Sequence, residues 1–444
     1  MNIQLHQSNL RSNSTITITG SKSETNRLLL LQALFPEIQL KNTSNSDDSE
    51  VMLKALSVIL NSSPPLEGLG EAPKSQIIDV HHAGTAMRFL TAYFATQPDR
   101  EVILTGSSRM KERPIHVLVE ALNSLGAQIS YQEKIGFPPL KIKGVVLEKN
   151  TVSMIANTSS QYISALLLIA PKLKTGLKLN LIGEITSLPY IQMTLGLLNE
   201  IGVETTFENN LISIEPNTQH PTPNTQHPTP NTQHPTPHTL TIESDWSSAS
   251  YFYSLVALSE IGTQITLSSY RKNSLQGDSA LVEIYKNFGV ETVFNNNNSI
   301  TISKVSVHNS FPFGKGWDGA NSPDIAQTIA VTCFGLGIGC TLTGLHTLKI
   351  KETDRLQALK TELTKLGATI SVTDSTLTLS PGSPPSEGLG EAIKTYQDHR
   401  MAMAFAPLAL KTTLIIEDAE VVSKSYPDFW NDLKNCGIAF EEIF

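Results

Sequence analysis

A short phrase recurs five times along the chain: an amphipathic run, then a glycine, then a stretch rich in β-forming residues. It reads LNSLGAQI, LNEIGVET, YKNFGVET, TKLGATI and KNCGIAF, with its glycines at Gly126, Gly202, Gly289, Gly367 and Gly437. A glycine after a helix adopts the left-handed conformation that ends it, so each phrase predicts a helix followed by a strand. The glycines lie 70 to 87 residues apart, which predicts one repeated unit of helices and strands, longer than a solenoid repeat. Helices often end in Leu-Gly, so chance recurrence is the alternative explanation.

Two kinds of inserted sequence interrupt this repeat. One is the proline-rich tract 216–237, in which PNTQHPT occurs three times. Its prolines cannot join strand ladders and it has no core-forming side chain, so we expect a disordered or extended loop rather than a histidine metal site. The other is SPPLEGLGEAPK (63–74), which returns as SPPSEGLGEAIK (383–394). We expect both copies to occupy loops, where extra length costs little free energy.

The composition excludes several classes of protein. The chain has 444 residues, enough for two cores, since single cores rarely exceed about 250–300 residues. Its net charge of -8 argues against general nucleic-acid binding. The three cysteines have no metal-ligand spacing, and an odd count fits a reducing compartment. With no signal-peptide pattern and no apolar run of about 18 residues, we expect a soluble cytoplasmic protein without metal, nucleic acid or membrane.

A cluster of charges precedes one of the predicted helices, in HTLKIKETDRLQAL (346–359). Leucines follow at helical spacing, at positions 356, 359, 363 and 366, and predict a helix that ends before Gly367. Lys351 and Arg355 lie four residues apart and would repel each other if both were helical. An anion between them would remove that repulsion. The segment therefore predicts an anion site with an acid, Glu352, beside it.

Other predicted helix starts also carry cations, hydroxyls or acids. They contain Lys22, Ser23 and Arg27; Gly84 and Thr85; Arg109, Lys111 and Arg113; Ser159, Ser160 and Gln161; Ser187 and Tyr190; Asp324; His399 and Arg400; and Lys424 near the end of the chain. Singly, a serine here is commonly a helix cap, and a lone Lys or Arg is commonly solvated. Together, helix N-termini and cations form anion sites, and arginine forks match carboxylates and phosphates. Asp324 and Glu352 could act as base and acid. We infer a site for a small molecule with several negative charges.

Nine of these segments resemble the motifs of one enzyme family. GSKSETNR, AGTAMR, RMKERPI, SSQY, SLPYI, SPDIA, KETDRL, DHRMAM and KSYPDFW occur in the family's order, from residue 20 to about residue 430. The chain resembles the EPSP synthase family of enolpyruvyl transferases. The resemblance implies an α/β fold of two similar domains, each of three repeated βαβαββ-type units arranged as an inside-out α/β barrel. It implies a discontinuous domain of residues 1–19 and 241–444, and a second domain of residues 20–240 that carries the proline-rich insertion.

The resemblance also implies the reaction. The enolpyruvyl group of phosphoenolpyruvate moves to the 5-hydroxyl of shikimate 3-phosphate and phosphate is released, in the pathway to chorismate and aromatic amino acids. A monomer with no metal or organic cofactor is expected. Because the cationic motifs divide between the two domains, phosphoenolpyruvate is expected to bind better once the doubly charged shikimate 3-phosphate is present.

Individual roles follow from the same resemblance. Shikimate 3-phosphate would contact Lys22, Ser23, Arg27, Ser159, Ser160, Gln161, Ser187, Tyr190, Asp324, Thr347 and Lys351. Phosphoenolpyruvate would contact Lys22, Gly84, Arg113, Gln161, Arg355, Arg400 and Lys424. Asp324 would take the proton of the 5-hydroxyl, Glu352 would give a proton to the methylene carbon, and Lys22 would be the third catalytic group. His399 would lie behind the residues that touch substrate.

Three positions depart from the family's pattern. His82 stands where many members have Asn, Phe89 replaces a common Pro, and Thr347 replaces an Asn that often binds the shikimate moiety. These departures concern the details of substrate contact rather than the reaction.

Two other functions remain as alternatives. The related transferase that acts on UDP-N-acetylglucosamine typically has a cysteine in the loop where this chain reads SSRMKERPI, and no cysteine precedes Cys333. A non-catalytic anion-binding protein is the second alternative, and the joint presence of Lys22, Asp324, Glu352 and Arg355 argues against it. Phosphate release from the two substrates would discriminate among the three.

Overall fold

The computed structural model describes residues 1–60, 75–157, 159–185, 188–217, 238–307, 311, 316–382, 384 and 390–443. The chain divides into two compact units. Residues Met1–Ser21 and Glu243–Phe444 form one, here called the terminal unit, and Lys22–Ile242 form the other, the central unit.

The described strands and helices are numbered along the chain. The terminal unit begins with β1 (Asn2–Leu5) and β2 (Ser14–Ile16). The central unit contains α1 (Lys22–Leu34), β3 (Ile38–Lys41), α2 (Asp47–Leu60), β4 (Gln76–Asp79), α3 (Gly84–Ala95), β5 (Glu101–Thr105), α4 (Ser108–Lys111), α5 (His116–Leu125), β6 (Gln128–Tyr131), β7 (Leu140–Lys143), β8 (Thr151–Ile155), α6 (Ser160–Ile169), β9 (Leu177–Ile182), α7 (Leu188–Glu200), β10 (Thr205–Glu208), β11 (Leu211–Ile214) and β12 (His238–Thr241).

The terminal unit continues with α8 (Trp246–Leu258), β13 (Gln264–Leu267), α9 (Leu281–Lys286), β14 (Val290–Phe294), β15 (Ile300–Lys304), β16 (Trp317–Asp318), α10 (Ala326–Gly335), β17 (Cys340–Thr343), α11 (Arg355–Lys365), β18 (Ile370–Val372), β19 (Leu377–Leu379), β20 (Glu391–Ile393), α12 (His399–Phe405), β21 (Leu414–Ile416), α13 (Phe429–Asn435) and β22 (Phe440–Ile443). Short 3₁₀ helices lie at Ala170–Lys172, Gly277–Ala280, Pro323–Ile325, His346–Ile350, Ala406–Leu410 and Ala419–Lys424.

The sheets of the central unit share one pattern. In the order β4-β5-β7-β6, the first two strands are parallel and the later neighbours are antiparallel. The sheet β8-β9-β11-β10 repeats this arrangement. A third pair, β3 and β12, is parallel. With the helices between them, the two complete sheets have the βαβαββ order.

The terminal unit repeats the same pattern three times. Its sheets have the orders β2-β13-β15-β14, β16-β17-β19-β18 and β20-β21-β1-β22. In the last sheet β1 is antiparallel to both neighbours, and Ile3 pairs with Ile416 on one side and Glu442 on the other. The start of the chain therefore completes a unit made from its end. The predicted α/β fold of repeated units is confirmed, and the described strands form six sheets without closing a barrel.

All five predicted helix ends are confirmed. The glycines of the recurring phrase follow α5, α7, α9, α11 and α13, and each has a positive φ between 77° and 111°. A strand follows each of them, namely β6, β10, β14, β18 and β22. The leucine spacing that predicted α11 is also confirmed, since Leu356, Leu359 and Leu363 are buried.

Helices form the interior of the terminal unit. Every residue of α8, α10 and α12 is buried, polar side chains included. Hydroxyls bridge α8 and α10, with Ser250 and Thr328 oxygens 3.0 Å apart and Thr332 Oγ1 donating to Ser254 Oγ at 2.8 Å. In the part of the chain that the structure describes, no helix is long and apolar enough to cross a membrane.

The expectation that both copies of the EGLGEA element occupy loops is wrong at the end of the second copy. Glu391–Ile393 form β20, parallel to β21, with Ile393 paired to Ile416. Ile393 is buried, so the copy ends with a side chain that the core needs. The first copy, 63–74, lies outside the described residues, as do residues 218–237 of the proline-rich tract. Before that gap, the Asn217 amide donates to the Pro171 carbonyl at 2.8 Å.

Candidate active site

In the central unit, the first candidate residues lie at the start of α1. Arg27 is buried, and its Nε donates to Thr194 Oγ1 (2.8 Å), Nη1 to the Ser23 carbonyl (2.8 Å) and Nη2 to Ser164 Oγ (3.1 Å). These acceptors are uncharged. Burial lowers the pKa of Arg27 to about 10, so the guanidinium stays charged at neutral pH.

Lys22, the first residue of α1, lies closer to the surface. Its Nζ is 3.4 Å from Asp48 Oδ2 at the start of α2. Lys22 therefore begins the helix that also carries Ser23 and Arg27.

A second group lies where α3 begins. The Arg113 guanidinium occupies the space that a side chain at Gly84 would need, since a Cβ there would lie 2.6 Å from Arg113 Nη1. Arg88, one turn into α3, donates to the Gly84 carbonyl (3.1 Å) and the Pro114 carbonyl (3.3 Å). Burial and the charge of Arg113 lower the pKa of Arg88 to about 10. Arg88 therefore joins the two segments that carry Gly84 and Arg113.

A third group lies at the start of α6. Ser159 caps the helix by accepting from the Gln161 amide at 3.4 Å, and Ser160 is buried. The Gln161 side-chain Nε2 donates to Thr85 Oγ1 at 3.1 Å. This hydrogen bond brings the second and third groups together.

Two further candidates lie around the start of α7. The Tyr190 carbonyl accepts from Arg27 Nη2 at 3.4 Å and from Thr194 Oγ1 at 2.9 Å. Ser187 lies outside the described residues. By contrast, the structure places Arg109 and Lys111 in surface ion pairs, with Glu112 (3.0 Å) and Glu133 (2.7 Å).

In the terminal unit, Arg355 holds three carboxylates. Its Nε donates to Asp398 Oδ2 at 2.6 Å, its Nη1 to Asp324 Oδ1 at 3.0 Å and its Nη2 to Glu352 Oε2 at 2.8 Å. Arg355 is the first residue of α11, which Asp354 caps by accepting from the Gln357 amide. The proposed base and acid are thus bonded to the two ends of one guanidinium fork.

Asp324 also forms ion pairs with two further cations, Lys351 and Arg400. It lies in the 3₁₀ turn that begins with Pro323, directly before α10. Its Oδ1 is 3.5 Å from Lys351 Nζ, and its Oδ2 is 3.1 Å from Arg400 Nη2. Lys351 lies between the 3₁₀ helix 346–350 and α11, so the predicted helical repulsion between Lys351 and Arg355 does not arise.

Burial and charge act against each other in this cluster. Burial alone would disfavour the charged form of Arg355, but Asp398, Glu352 and Asp324 outweigh it and raise the pKa of Arg355. The pKa of Arg400 is raised in the same way, by Asp324 above all, against its burial. A neighbouring acid shows the opposite balance: burial and the charge of Asp324 raise the pKa of Asp278 to about 8.

The remaining candidates lie around these groups. His399 is buried at the start of α12, beside Asp398, which caps that helix. Lys424 Nζ donates to the Gln397 carbonyl at 2.7 Å. Thr347 is half-buried in the 3₁₀ helix 346–350, and its hydroxyl has no hydrogen-bond partner among the described residues.

The two other departures from the family pattern differ in their surroundings. Phe89 is buried, and its ring centroid lies 5.4 Å from Arg27 Cζ. His82 is exposed. The Phe89 ring therefore packs beside the Arg27 guanidinium, whose N–H groups donate to neutral oxygens.

The sequence did not indicate several residues that hold the candidates in place: Asp48, Arg88, Ser164, Thr194, Asp278 and Asp398. Arg88 and Asp398 lie inside the motifs AGTAMR and DHRMAM, where their charge is a local signal. The others carry no local signal.

The chemistry available follows from this geometry. The central unit offers cations, hydroxyls and the capped N-terminus of α6, a combination that binds phosphate. The terminal unit offers two carboxylates beside cations, a combination suited to proton transfer. Among the described residues, no three His, Cys, Asp or Glu side chains are placed to hold a metal ion.

Comparisons with known proteins identify the family of the chain. The family model of EPSP synthase (3-phosphoshikimate 1-carboxyvinyltransferase) matches residues 7–433. The chain is 41% identical over 431 residues to the 3-phosphoshikimate 1-carboxyvinyltransferase of Bacteroides fragilis, covering 96% of each chain. It is 36% identical over 434 residues to that of Vibrio vulnificus, covering 95% of this chain and 96% of the relative. An EPSP synthase structure from Acinetobacter baumannii shares the fold, with a TM-score of 0.76 at 21% identity over 99% of each chain. The chain therefore belongs to the EPSP synthase family.

Proposed function

We propose that Asp324, Glu352 and Lys22 are the catalytic residues of the family's reaction in this protein. As a family member, the protein transfers the enolpyruvyl group of phosphoenolpyruvate to the 5-hydroxyl of shikimate 3-phosphate, on the pathway to chorismate. The observation that carries the assignment is the Arg355 fork, with Asp324 on Nη1 and Glu352 on Nη2.

The proposed proton transfers balance as an addition followed by an elimination. The 5-hydroxyl oxygen bonds to C2 of phosphoenolpyruvate while Asp324 takes the hydroxyl proton. Glu352, in its protonated form, gives a proton to C3, which becomes a methyl group. Loss of phosphate from C2, with return of one methyl proton to the enzyme, restores the double bond. Because one guanidinium holds both carboxylates, base and acid stay oriented relative to each other through both steps.

Binding of shikimate 3-phosphate is assigned mainly to the central unit. The charges of Arg27, whose described hydrogen-bond acceptors are neutral, and of Lys22 attract the phosphate and orient the hydroxyls. Ser159 and Ser160 add the N-terminus of α6, which favours anions, while Gln161, Tyr190 and Ser187 complete this side. From the terminal unit, we assign Asp324, Lys351 and Thr347 to the same substrate, the last because its hydroxyl has no hydrogen-bond partner in the described part of the chain.

Binding of phosphoenolpyruvate is assigned to cations of both units. Gly84 leaves the space that Arg113 occupies, and Gln161 is bonded to Thr85 next to it. Lys22 serves both substrates. The terminal unit contributes Arg355, Arg400 and Lys424, of which Arg355 and Arg400 are already bonded to Asp324.

Replacing the base and the acid tests the assignment. We expect Asp324→Asn and Glu352→Gln to lower turnover by about 10²–10⁴, the usual contribution of general acid–base catalysis, with a smaller change in the dissociation constant of shikimate 3-phosphate. Asp374→Asn is the matched control, because this exposed carboxylate pairs only with Lys349 at the surface among the contacts described here. Turnover is measured as phosphate release, with and without a chelator, which we expect to have no effect.

Each outcome has a clear meaning. If Asp324→Asn or Glu352→Gln keeps near-wild-type turnover, that residue's role is wrong. If the unmodified enzyme releases phosphate only with UDP-N-acetylglucosamine as acceptor, the assigned substrate is wrong. A rate that a chelator abolishes and a divalent ion restores would contradict the metal-free assignment.

We also propose a cytoplasmic monomer. The buried free thiols of Cys333, Cys340 and Cys436 support a reducing compartment. Light scattering after size exclusion gives the mass in solution, and a mass near twice 48.4 kDa would overturn the monomer.

A further inference from the structure

The segment 394–398, which joins β20 to α12, has an unusual backbone. Two consecutive residues that are not glycine, Tyr396 and Gln397, have φ values of 54° and 59°. Side chains disfavour this left-handed region, so such residues persist only where the surroundings hold them. Two in succession therefore call for specific contacts.

Glu362 provides contacts at the N-terminal end of this segment. Its carboxylate is buried on α11, where Oε1 accepts from the Tyr396 hydroxyl at 2.6 Å and Oε2 accepts from the Lys394 amide at 3.1 Å. Lys365 Nζ lies 2.6 Å from the same Oε2 and also donates to the Ala392 carbonyl at 3.0 Å. Burial and the bond to Glu362 raise the pKa of Tyr396 to about 12, so its hydroxyl remains a donor.

Arg355 provides contacts at the other end. Asp398 is buried and accepts from Arg355 Nε at 2.6 Å and Nη2 at 3.3 Å. Asp398 also caps α12 by accepting from the Arg400 amide at 2.9 Å. Arg355 and Glu362 lie seven residues apart, which places them two turns apart on one face of α11. One helix face therefore holds both ends of the segment.

We propose that Glu362 and Tyr396 are positioning residues for phosphoenolpyruvate: they lock the segment 394–398 so that Asp398 orients Arg355 and Arg400. This inference rests on the proposed function, in which both arginines bind that substrate. Lys424, the third assigned cation of the terminal unit, donates to the Gln397 carbonyl of the same segment at 2.7 Å.

The test replaces the Tyr396 hydroxyl and compares the two substrates. We expect Tyr396→Phe to raise the KM for phosphoenolpyruvate about tenfold, as expected for a lost hydrogen bond to a charged group, and to change the KM for shikimate 3-phosphate less than about twofold. Glu362→Gln, which keeps the shape but removes the charge, is expected to act in the same direction. Tyr253→Phe is the matched control, since its hydroxyl is bonded to Thr292 within the same unit, on α8 and β14.

A second measurement does not depend on catalysis. Amide hydrogen exchange at residues 395–400 should become faster in Tyr396→Phe and stay unchanged in Tyr253→Phe. Equal effects on both KM values, or none on the KM for phosphoenolpyruvate, would overturn the positioning role, as would unchanged exchange. If the unmodified enzyme releases no phosphate, the proposed function fails, and the exchange comparison alone decides whether Tyr396 holds the segment.

Discussion

Arg27 in the central unit and Arg355 in the terminal unit are both buried guanidinium groups near the start of a helix, but their partners differ. The N–H groups of Arg27 donate to hydroxyls and carbonyls. Those of Arg355 donate to three carboxylates. Correspondingly, the pKa of Arg27 is lowered to about 10 by burial, and that of Arg355 is raised because its carboxylates outweigh burial. Burial therefore dominates the pKa of Arg27, whereas the neighbouring carboxylates dominate that of Arg355.

Helix caps follow the same division. In the central unit Ser159 caps α6 with a neutral hydroxyl, which leaves the positive end of the helix dipole to an incoming anion. In the terminal unit the carboxylates of Asp245, Asp354 and Asp398 cap α8, α11 and α12. A carboxylate cap satisfies the amides and the dipole together. The cap of α6 is therefore neutral, whereas those of α8, α11 and α12 carry a negative charge.

The largest difference should appear when each arginine is removed. We expect Arg355→Met to lower the free energy of unfolding by about 3–5 kcal/mol, because it leaves buried carboxylates without their cation. Arg27→Met should cost about 1–3 kcal/mol, because the described acceptors of its hydrogen bonds are neutral and two of them, Ser164 and Thr194, bond each other. All three tryptophans, Trp246, Trp317 and Trp430, lie in the terminal unit, so their fluorescence in urea reports on that unit and far-ultraviolet dichroism reports on both.

The same pair of variants should separate in ligand binding. Arg27→Met should weaken the binding of shikimate 3-phosphate far more than its small loss of stability suggests, because Arg27 is assigned to the phosphate and its described hydrogen-bond acceptors are neutral. Equal losses of stability in the two variants, or unchanged shikimate 3-phosphate affinity in Arg27→Met, would contradict the division of roles.

The division could be foreseen only in part from the sequence. The sequence predicts helix starts at Lys22, Ser159, Asp324 and His399, and the structure has them there. Helix caps and apolar periodicity are local signals, so these positions needed no long-range information. The five helix ends at glycines were predictable for the same reason. The α11 leucines likewise needed no knowledge of distant segments.

Local signals in the sequence do not reveal the hydrogen-bond partners of Arg27 and Arg355. Arg27 is hydrogen-bonded to Thr194 and Ser164, which lie 167 and 137 residues away in sequence. Arg355 is hydrogen-bonded to Asp398, which lies 43 residues away. Whether a buried arginine meets a hydroxyl or a carboxylate depends on these long-range pairings. The strand β20 was missed for a related reason: Glu391–Ile393 pair with β21 inside what the repeat suggested was inserted sequence.

The pH dependence of stability offers a finer test of the terminal cluster. Asp278 has a pKa of about 8, raised from 3.8 by burial and by Asp324, against the opposing charge of Arg400; Asp245 and Lys351 also act on it, upward and downward respectively. The native state therefore keeps a proton that the unfolded chain releases. Its contribution to stability is full below about pH 4 and is lost as the pH rises to about 8, with a slope of at most about 1.4 kcal/mol per pH unit.

Asp278→Asn should remove that slope, since an amide cannot ionise. Urea unfolding followed by tryptophan fluorescence between about pH 5 and pH 8 compares the variant with the unmodified protein. Asp374→Asn, at an exposed position of the same unit, serves as the control. A slope that persists in Asp278→Asn would mean that another group of the cluster titrates in its place.

The smallest expected effect concerns Arg113, a cation of the central unit that lies against Gly84. A methyl group at Gly84 would lie 2.6 Å from Arg113 Nη1 and 3.1 Å from its Cζ. The obstacle is the far end of a flexible side chain, so Gly84→Ala should displace the guanidinium and leave the fold intact. We expect the KM for phosphoenolpyruvate to rise about tenfold, equivalent to about 1.4 kcal/mol, with little change in urea midpoint.

Gly382→Ala is the control, since a Cβ there meets nothing within 4 Å. An unchanged KM in Gly84→Ala would mean that Arg113 contributes no oriented contact. A lowered urea midpoint would mean instead that the central unit, like the terminal one, depends on its cations for stability.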